Sequence, residues 1–305
     1  MRIVFMGTPV FAKRSLERLY SDGYDIVGVF TQPDKPRSRG MKVSYSPVKE
    51  VALSYGTPVF QPGSLKDGEA AGTLRGLDCD LIVVVAYGKL LPREILDIPA
   101  SGAINIHASL LPKYRGAAPI QWAIINGEIE TGVTSMYISD ELDAGDILFT
   151  KKTHIGEEET AGELFERLSF IGAELLSETL AAITSGAIVR IPQIESEVTH
   201  APPVKKEMSP IDWTQTAESI KCKVRGFSPK PGASTVLNGV QHKVFRVDVN
   251  DNMTAKRPGE IVSAGSRGIE IACADGTVIL KELQAPGGKR MAAADFLRGH
   301  RIIND

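Results

Sequence analysis

Residues 104–116 read INIHASLLPKYRG, with an Asn and a His two apart inside an apolar run. Side chains alternate along a strand, so Asn105 and His107 face one side while Ile104 and Ile106 face the other. An amide supplies N–H donors, and an imidazole can hold or pass a proton near neutral pH. Such groups can steady developing charge and move protons. A polar pair on a strand is also commonly structural, and both readings stand on this stretch alone. A third group comes 36 residues after His107, in DELDAGDIL at 140–148, with four acids in seven residues. Asp143 precedes Ala144-Gly145, where the backbone can turn tightly. A carboxylate beside an imidazole favours its protonated form and fixes its orientation. Asp140 and Glu141 read as a solvated turn.

Several other chemistries are disfavoured. Cys79, Cys222 and Cys273 are too far apart in sequence for a CxxC metal site and suggest no disulfide framework. The first apolar run ends in MGTPVFA without G-x-G-x-x-G, which argues against a dinucleotide-binding oxidoreductase, and no phosphate loop occurs. No metal is implied.

These groups need a scaffold, and the first half of the chain alternates short β-like runs with helical patterns. Residues 2–7, 25–31, 58–62, 80–87, 102–108 and 131–139 read as strands, with 80–87 buried on both faces. Helical spacing covers 9–23, 46–56 (Ser46 as N-cap, Pro47 next), 118–127, and 160–186, a long helix or a pair capped by Thr160. Repeated βα units predict a doubly wound, mostly parallel, Rossmann-like α/β sheet. Ligands bind beyond the carboxyl ends of such strands, where Asn105 and His107 would lie. The turn at 140–146 would lie there too if its strand runs parallel to theirs.

The texture changes near residue 190. Residues 190–206 carry scattered Pro and charge and read as a linker between a catalytic domain at 1–189 and a second domain at 207–305. The second domain opens with a helix at 211–227, then turns to short strands with Asn238-Gly239 between two of them, a strong hairpin signal. A small closed β-barrel, OB-like, is the expectation, a class that often binds nucleic acid or oligosaccharide.

Of the 305 residues, 43% are hydrophobic and 24% charged, as in a soluble globular protein. There is no signal-peptide pattern and no apolar run long enough to span a bilayer, so a cytoplasmic protein is the default. The net charge of −2 hides an asymmetry: 19 Lys and Arg against 26 Asp and Glu in residues 1–200, but 16 against 11 in residues 201–305. A basic C-terminal part meeting a polyanion and ordinary surface variation both fit that balance.

The strings NIHASLLPKYRGAAPIQWAI and LDAGDIL resemble the folate-dependent formyltransferases. The basic loop GVFTQPDKPRSRGMKVSYSPVK (28–49) and VVVAYGKLLP (83–92) are similar to the branch of that family that acts on aminoacyl-tRNA. The likeness runs from residue 2 to about 228, and beyond that only the architecture agrees. YISDELDAGDIL departs modestly from the usual wording, with every functional position still filled.

The resemblance implies transfer of the formyl group of 10-formyltetrahydrofolate to the α-amine of methionine on initiator tRNA, for translation initiation. It assigns catalysis to Asn105, His107 and Asp143. It places Ser109, Leu110, Leu111 and Pro112 at the folate, with Val85, Tyr87 and Gly88 at its pterin, though Leu110, Leu111 and the valines also suit an ordinary core. Contacts to tRNA phosphates would come from Lys35, Arg37, Arg39 and Lys42 in the loop, and from Lys221, Lys223, Arg225 and Lys230 in the second domain. A solvated loop and a solvated face are the plain alternatives. A monomer is expected. A relative acting on a sugar-nucleotide amine or on glycinamide ribonucleotide would share the three catalytic groups with less use for the basic loop. A non-enzymatic nucleic-acid-binding protein would have no need to keep all three.

Overall fold

The computed structural model describes residues 1–37 and 42–302. Its strands are β1 (Arg2–Gly7), β2 (Asp25–Phe30), β3 (Lys35–Arg37), β4 (Lys42–Ser44), β5 (Val59–Phe60), β6 (Leu81–Val85), β7 (Ala103–His107), β8 (Glu130–Tyr137), β9 (Ile147–His154), β10 (Ala233–Leu237), β11 (Val240–Asn250), β12 (Ile261–Gly265), β13 (Gly268–Ala272), β14 (Thr277–Gln284) and β15 (Arg290–Ala292). The helices are α1 (Val10–Ser21), α2 (Pro47–Ser54), α3 (Glu69–Leu77), α4 (Arg93–Leu96), α5 (Pro119–Ile125), α6 (Ala161–Ser185), α7 (Ala217–Phe227) and α8 (Ala293–Gly299). Among the described residues no helix is long and apolar enough to cross a membrane.

The chain forms two compact units. One holds Met1–Gly116, Thr131–Thr153 and Phe165–His200; the other holds Ala117–Glu130, His154–Leu164 and Ala201–Asp305. The second unit thus includes α5 and the start of α6 as well as the C-terminal segment.

The first unit is built on a seven-stranded sheet in the order β5-β2-β1-β6-β7-β8-β9. β5, β2, β1, β6 and β7 are mutually parallel, and β8 runs antiparallel to β7. The mostly parallel sheet expected from the βα alternation is present. Every residue of β6 is buried, as a central strand with both faces covered requires. Val4, Met6, Ile82 and Val84 pack on one face against Leu74 and Ile95. Local signals place the helices. Ser46 Oγ accepts the Lys49 N–H at 3.1 Å and starts α2 with Pro47 beside it. Thr160 and Glu163 exchange hydrogen bonds as a capping box, and α6 then runs unbroken for 25 residues.

Residues 191–200 are tied to this unit. Ile191 bridges Ile147, His200 bridges Arg115, and the Arg115 N–H donates to the Thr199 carbonyl at 2.9 Å. Composition alone reads this stretch as a connector.

In the second unit, Asn238 (φ +49) and Gly239 (φ +74) make the expected hairpin turn, pairing Leu237 with Val240. The strands form one antiparallel sheet in the order β10-β11-β14-β13-β12, with β15 on β14. Apolar residues of this sheet bury against α7 and α8, with Ile220, Val224 and Phe296 in the core. The expected closed barrel is not what the pairing forms. Among the described residues β10 and β12 are the two ends of an open sheet and do not pair with each other. Strand count and turn spacing are alike for open and closed sheets, so the sequence did not separate them.

Candidate active site

The site is at the carboxyl end of β7. Gly7 of β1 lies beside Val85 of β6, and Val84 lies beside Asn105, so three parallel strands end together. Asn105 and His107 share one face of β7. Ile106 points the other way, where a Cβ on Gly172 of α6 would come within 3.2 Å of it.

His107 is buried, and its Nε2 lies 3.0 Å from the Tyr114 carbonyl. A carbonyl can only accept, so Nε2 carries hydrogen, and Nδ1 is the ring atom free to take or give a second proton. Nδ1 lies 3.7 Å from Asp143 Oδ2, and the two side chains are 7% and 12% exposed. The same Oδ2 accepts the Gly116 N–H at 2.9 Å, which holds the carboxylate in place. Asn105 is half-buried, and its amide makes no hydrogen bond among the described residues. An imidazole, a carboxylate and an uncommitted amide donor therefore meet on one patch.

Asp143 reaches His107 by a different route from the strand-end argument. Because β8 is antiparallel to β7, its last residue, Tyr137, lies opposite Ile104, away from the carboxyl end. The connection from β8 to β9 must return to place Asp143 near His107. It does so through Asp143 at φ +52 and a very close approach at Gly145, where a Cβ would lie 1.8 Å from the Tyr137 carbonyl oxygen. Only glycine fits that contact. Gln193 Nε2 then donates to the carbonyls of both Asp143 and Gly145, at 2.8 Å each.

The segment after β7 is tied down from below. Thr134 Oγ1 donates to the Ser109 carbonyl at 2.7 Å and accepts the Leu111 N–H at 3.2 Å. The buried Ser109 hydroxyl donates to the Lys113 carbonyl at 2.7 Å. Leu111 is buried, while Leu110 and Pro112 are half-buried and retain open surface. Thus Ser109 serves the turn itself, and Leu110 and Pro112 are the members of this run best placed to touch a ligand.

The stretch after β6 divides in the same way. Val85 and the Tyr87 side chain are buried, and Tyr87 belongs to the apolar cluster that also holds Ile95 and Leu96. Gly88 turns at φ +81, and Gln32 Nε2 donates to the Tyr87 carbonyl at 2.9 Å. The Tyr87 hydroxyl is buried with no hydrogen-bond partner among the described residues, and burial pushes its pKa up to about 12. Such a phenol stays neutral in the fold, so stability is full below pH about 10 and falls as pH rises through about 12. Tyr87→Phe is expected to hold or raise the melting temperature at pH 7 and to flatten the alkaline loss. Melting curves across pH 8–12 check this; a variant less stable at neutral pH would show that the hydroxyl has a partner.

The basic residues are placed as follows. Arg39 lies outside the described residues. Lys35 and Arg37 are on β3 and Lys42 is on β4, an antiparallel ribbon pairing Lys35 with Ser44 and Arg37 with Lys42. On α7, Lys221 Nζ pairs with Glu158 at 2.5 Å, and Lys223 Nζ donates to the Pro210 carbonyl. Burial pulls the Lys223 ammonium below its usual range. Arg225 donates to the carbonyls of Glu159 and Gly156 at 3.1 and 2.8 Å. These three cations hold their own unit together, and Lys230 is the exposed one.

Sequence reading missed Arg115, Gln193 and Thr134. Arg115 stands in the quoted KYRG string without a role, and Gln193 lies in the stretch read as linker. No periodicity or motif marks either residue; the 191–200 segment, bridged to Ile147 and to Arg115, brings Gln193 against Arg115 and the Asp143 turn.

The family model described as formyl transferase matches residues 1–180, and that described as formyl transferase, C-terminal domain, matches residues 203–301. The methionyl-tRNA formyltransferase of Ruminiclostridium cellulolyticum is 45% identical over 304 residues, covering 99% of this chain and 97% of that one. That of Citrifermentans bemidjiense is 49% identical over 302 residues, covering 99% and 94%. The chain belongs to the methionyl-tRNA formyltransferase family. Solved structures share the fold at lower identity. An N-formyltransferase from Helicobacter canadensis, complexed with folinic acid and dTDP-3-aminofucose, aligns with TM-score 0.71 at 19% identity, over 95% of this formyltransferase and 99% of that chain. HypX from Aquifex aeolicus in complex with tetrahydrofolic acid aligns with TM-score 0.67 at 20% identity, over 97% of this chain and 47% of HypX.

Proposed function

We propose that the protein transfers the formyl group of 10-formyltetrahydrofolate to the α-amino group of methionine on initiator methionyl-tRNA. The observation that carries the chemistry is the His107–Asp143 pair, 3.7 Å apart beside the strand face that bears Asn105. The whole-length likeness to methionyl-tRNA formyltransferases supports the acceptor.

The neutral amine attacks the formyl carbon and forms a C–N bond, and the carbonyl oxygen becomes an oxyanion. The Asn105 amide N–H stabilises that charge, because the amide is not occupied by the fold. The proton leaving the amine passes to His107 Nδ1 or to Asp143, directly or through one water. Collapse of the tetrahedral intermediate breaks the bond to N10 of the folate, and N10 takes up a proton. No covalent enzyme intermediate is needed. Leu110, Pro112 and the turn at Gly88 line the folate side. Lys35, Arg37 and Lys42 of the β3–β4 ribbon, Arg39 of the sequence between them, and Lys230 of the second unit meet the tRNA.

The test supplies the folate donor with charged initiator tRNA, charged elongator tRNA, an amino-sugar nucleotide or no acceptor. Formylation of initiator methionyl-tRNA above all others is expected, with binding that weakens steeply as salt rises. Equal or faster turnover of the sugar nucleotide would overturn the acceptor assignment.

A further inference from the structure

We propose that Gln193 is a positioning residue for the His107–Asp143 pair, an inference that rests on the catalytic reading of that pair. Three contacts define how its side chain is oriented. Nε2 donates to the Asp143 and Gly145 carbonyls at 2.8 Å each, and Oε1 accepts Arg115 Nε at 3.0 Å. Carbonyls only accept and guanidinium only donates, so the amide has one orientation that satisfies all three partners. Neither a carboxylate nor an apolar side chain can do both jobs.

The surroundings make this amide a fixed point. Arg115 is 5% exposed, and its Nη2 donates to Glu195 Oε1 at 2.9 Å. Its backbone N–H is held by the Thr199 carbonyl. Ile191 and Ile147 exchange hydrogen bonds at 2.8 and 2.9 Å, which pins the chain two residues before Gln193 to the start of β9. Asp143, at φ +52, is in a conformation that L-residues seldom hold without outside support. Gln193 grips the carbonyl of Asp143 and that of Gly145, two residues on. That grip sets the rotation of the turn, and with it the direction in which the Asp143 carboxylate meets Gly116 and His107. The geometry makes Gln193 a support for the carboxylate at a distance from substrate.

The test uses the full chain with Gln193→Glu and Gln193→Leu, and Asp143→Asn alongside. Gln193→Glu keeps an acceptor for Arg115 and loses both donated bonds; Gln193→Leu removes all three contacts at similar volume. The rate at saturating substrates is expected to fall about tenfold to a hundredfold, with the KM values for tRNA and folate essentially unchanged. The Gly116 amide should exchange with solvent faster, because it reports whether the Asp143 carboxylate is in place. Normal turnover with an unaltered Gly116 amide in both variants would overturn the proposal, as would a loss confined to KM. Failure of both variants to fold would also overturn it, since the residue would then support the fold rather than the site. If Asp143→Asn keeps its rate, the catalytic reading fails instead, while the Gly116 amide still decides whether Gln193 positions the carboxylate.

Discussion

Asn105→Ala, His107→Gln and Asp143→Asn are each expected to slow single-turnover formyl transfer by about a hundredfold or more, the scale of losing one preorganised donor. Binding of tRNA should be unaffected. The three substitutions act on different parts of the step. Asn105 has no hydrogen-bond partner among the described residues to leave unsatisfied, so its loss should cost little stability while removing the donor to the oxyanion. Asp143→Asn keeps the volume and an acceptor for the Gly116 N–H but removes the negative charge facing Nδ1. His107→Gln removes the only titratable nitrogen on the patch, and loss of its bond to the buried Tyr114 carbonyl also costs some stability. Rapid-quench measurement with pre-bound substrates isolates the chemical step. Near-normal rates in all three would mean that the patch is structural and that the reacting groups are elsewhere.

Gly145→Ala is expected to cost about 1–3 kcal/mol of stability, as overpacking of a tight contact does, and to depress the rate as far as loss of Asp143 itself. The added carbon would sit 1.8 Å from a backbone oxygen of β8, so no side-chain rotation relieves it. The connection must swing away, and Asp143, two residues earlier, goes with it. Gly72→Ala is the control: it lies in α3 with nothing within 4 Å of a new Cβ, and alanine is favoured in a helix. Melting temperature and single-turnover rate together decide the matter. A Gly145→Ala protein that melts and turns over like its parent would show that the turn has room to spare.

Much of this architecture was legible in the residues. Alternating apolar runs and capped helical stretches led to a mostly parallel sheet because strand and helix periods differ, and caps such as Ser46 and Thr160 act within one turn of chain. The Asn238-Gly239 hairpin is local in the same sense. The basic residues were less legible. Lys221, Lys223 and Arg225 read as one basic cluster on a helix, and the partners each finds in its own unit, a carbonyl or a carboxylate, come from segments distant in sequence.

By itself, the sequence determined the strand that carries Asn105 and His107 on one face, since alternation follows from backbone geometry alone. The wording around Asp143 also pointed to the carboxylate that the fold places 3.7 Å from His107. Only the tertiary structure decided how that carboxylate arrives. β8 is antiparallel to β7, so its connection must turn back through Gly145, and a segment with the composition of a linker supplies Gln193 to hold it there. Strand direction and the return of residues 191–200 depend on contacts between distant parts of the chain. No local propensity or spacing encodes those contacts.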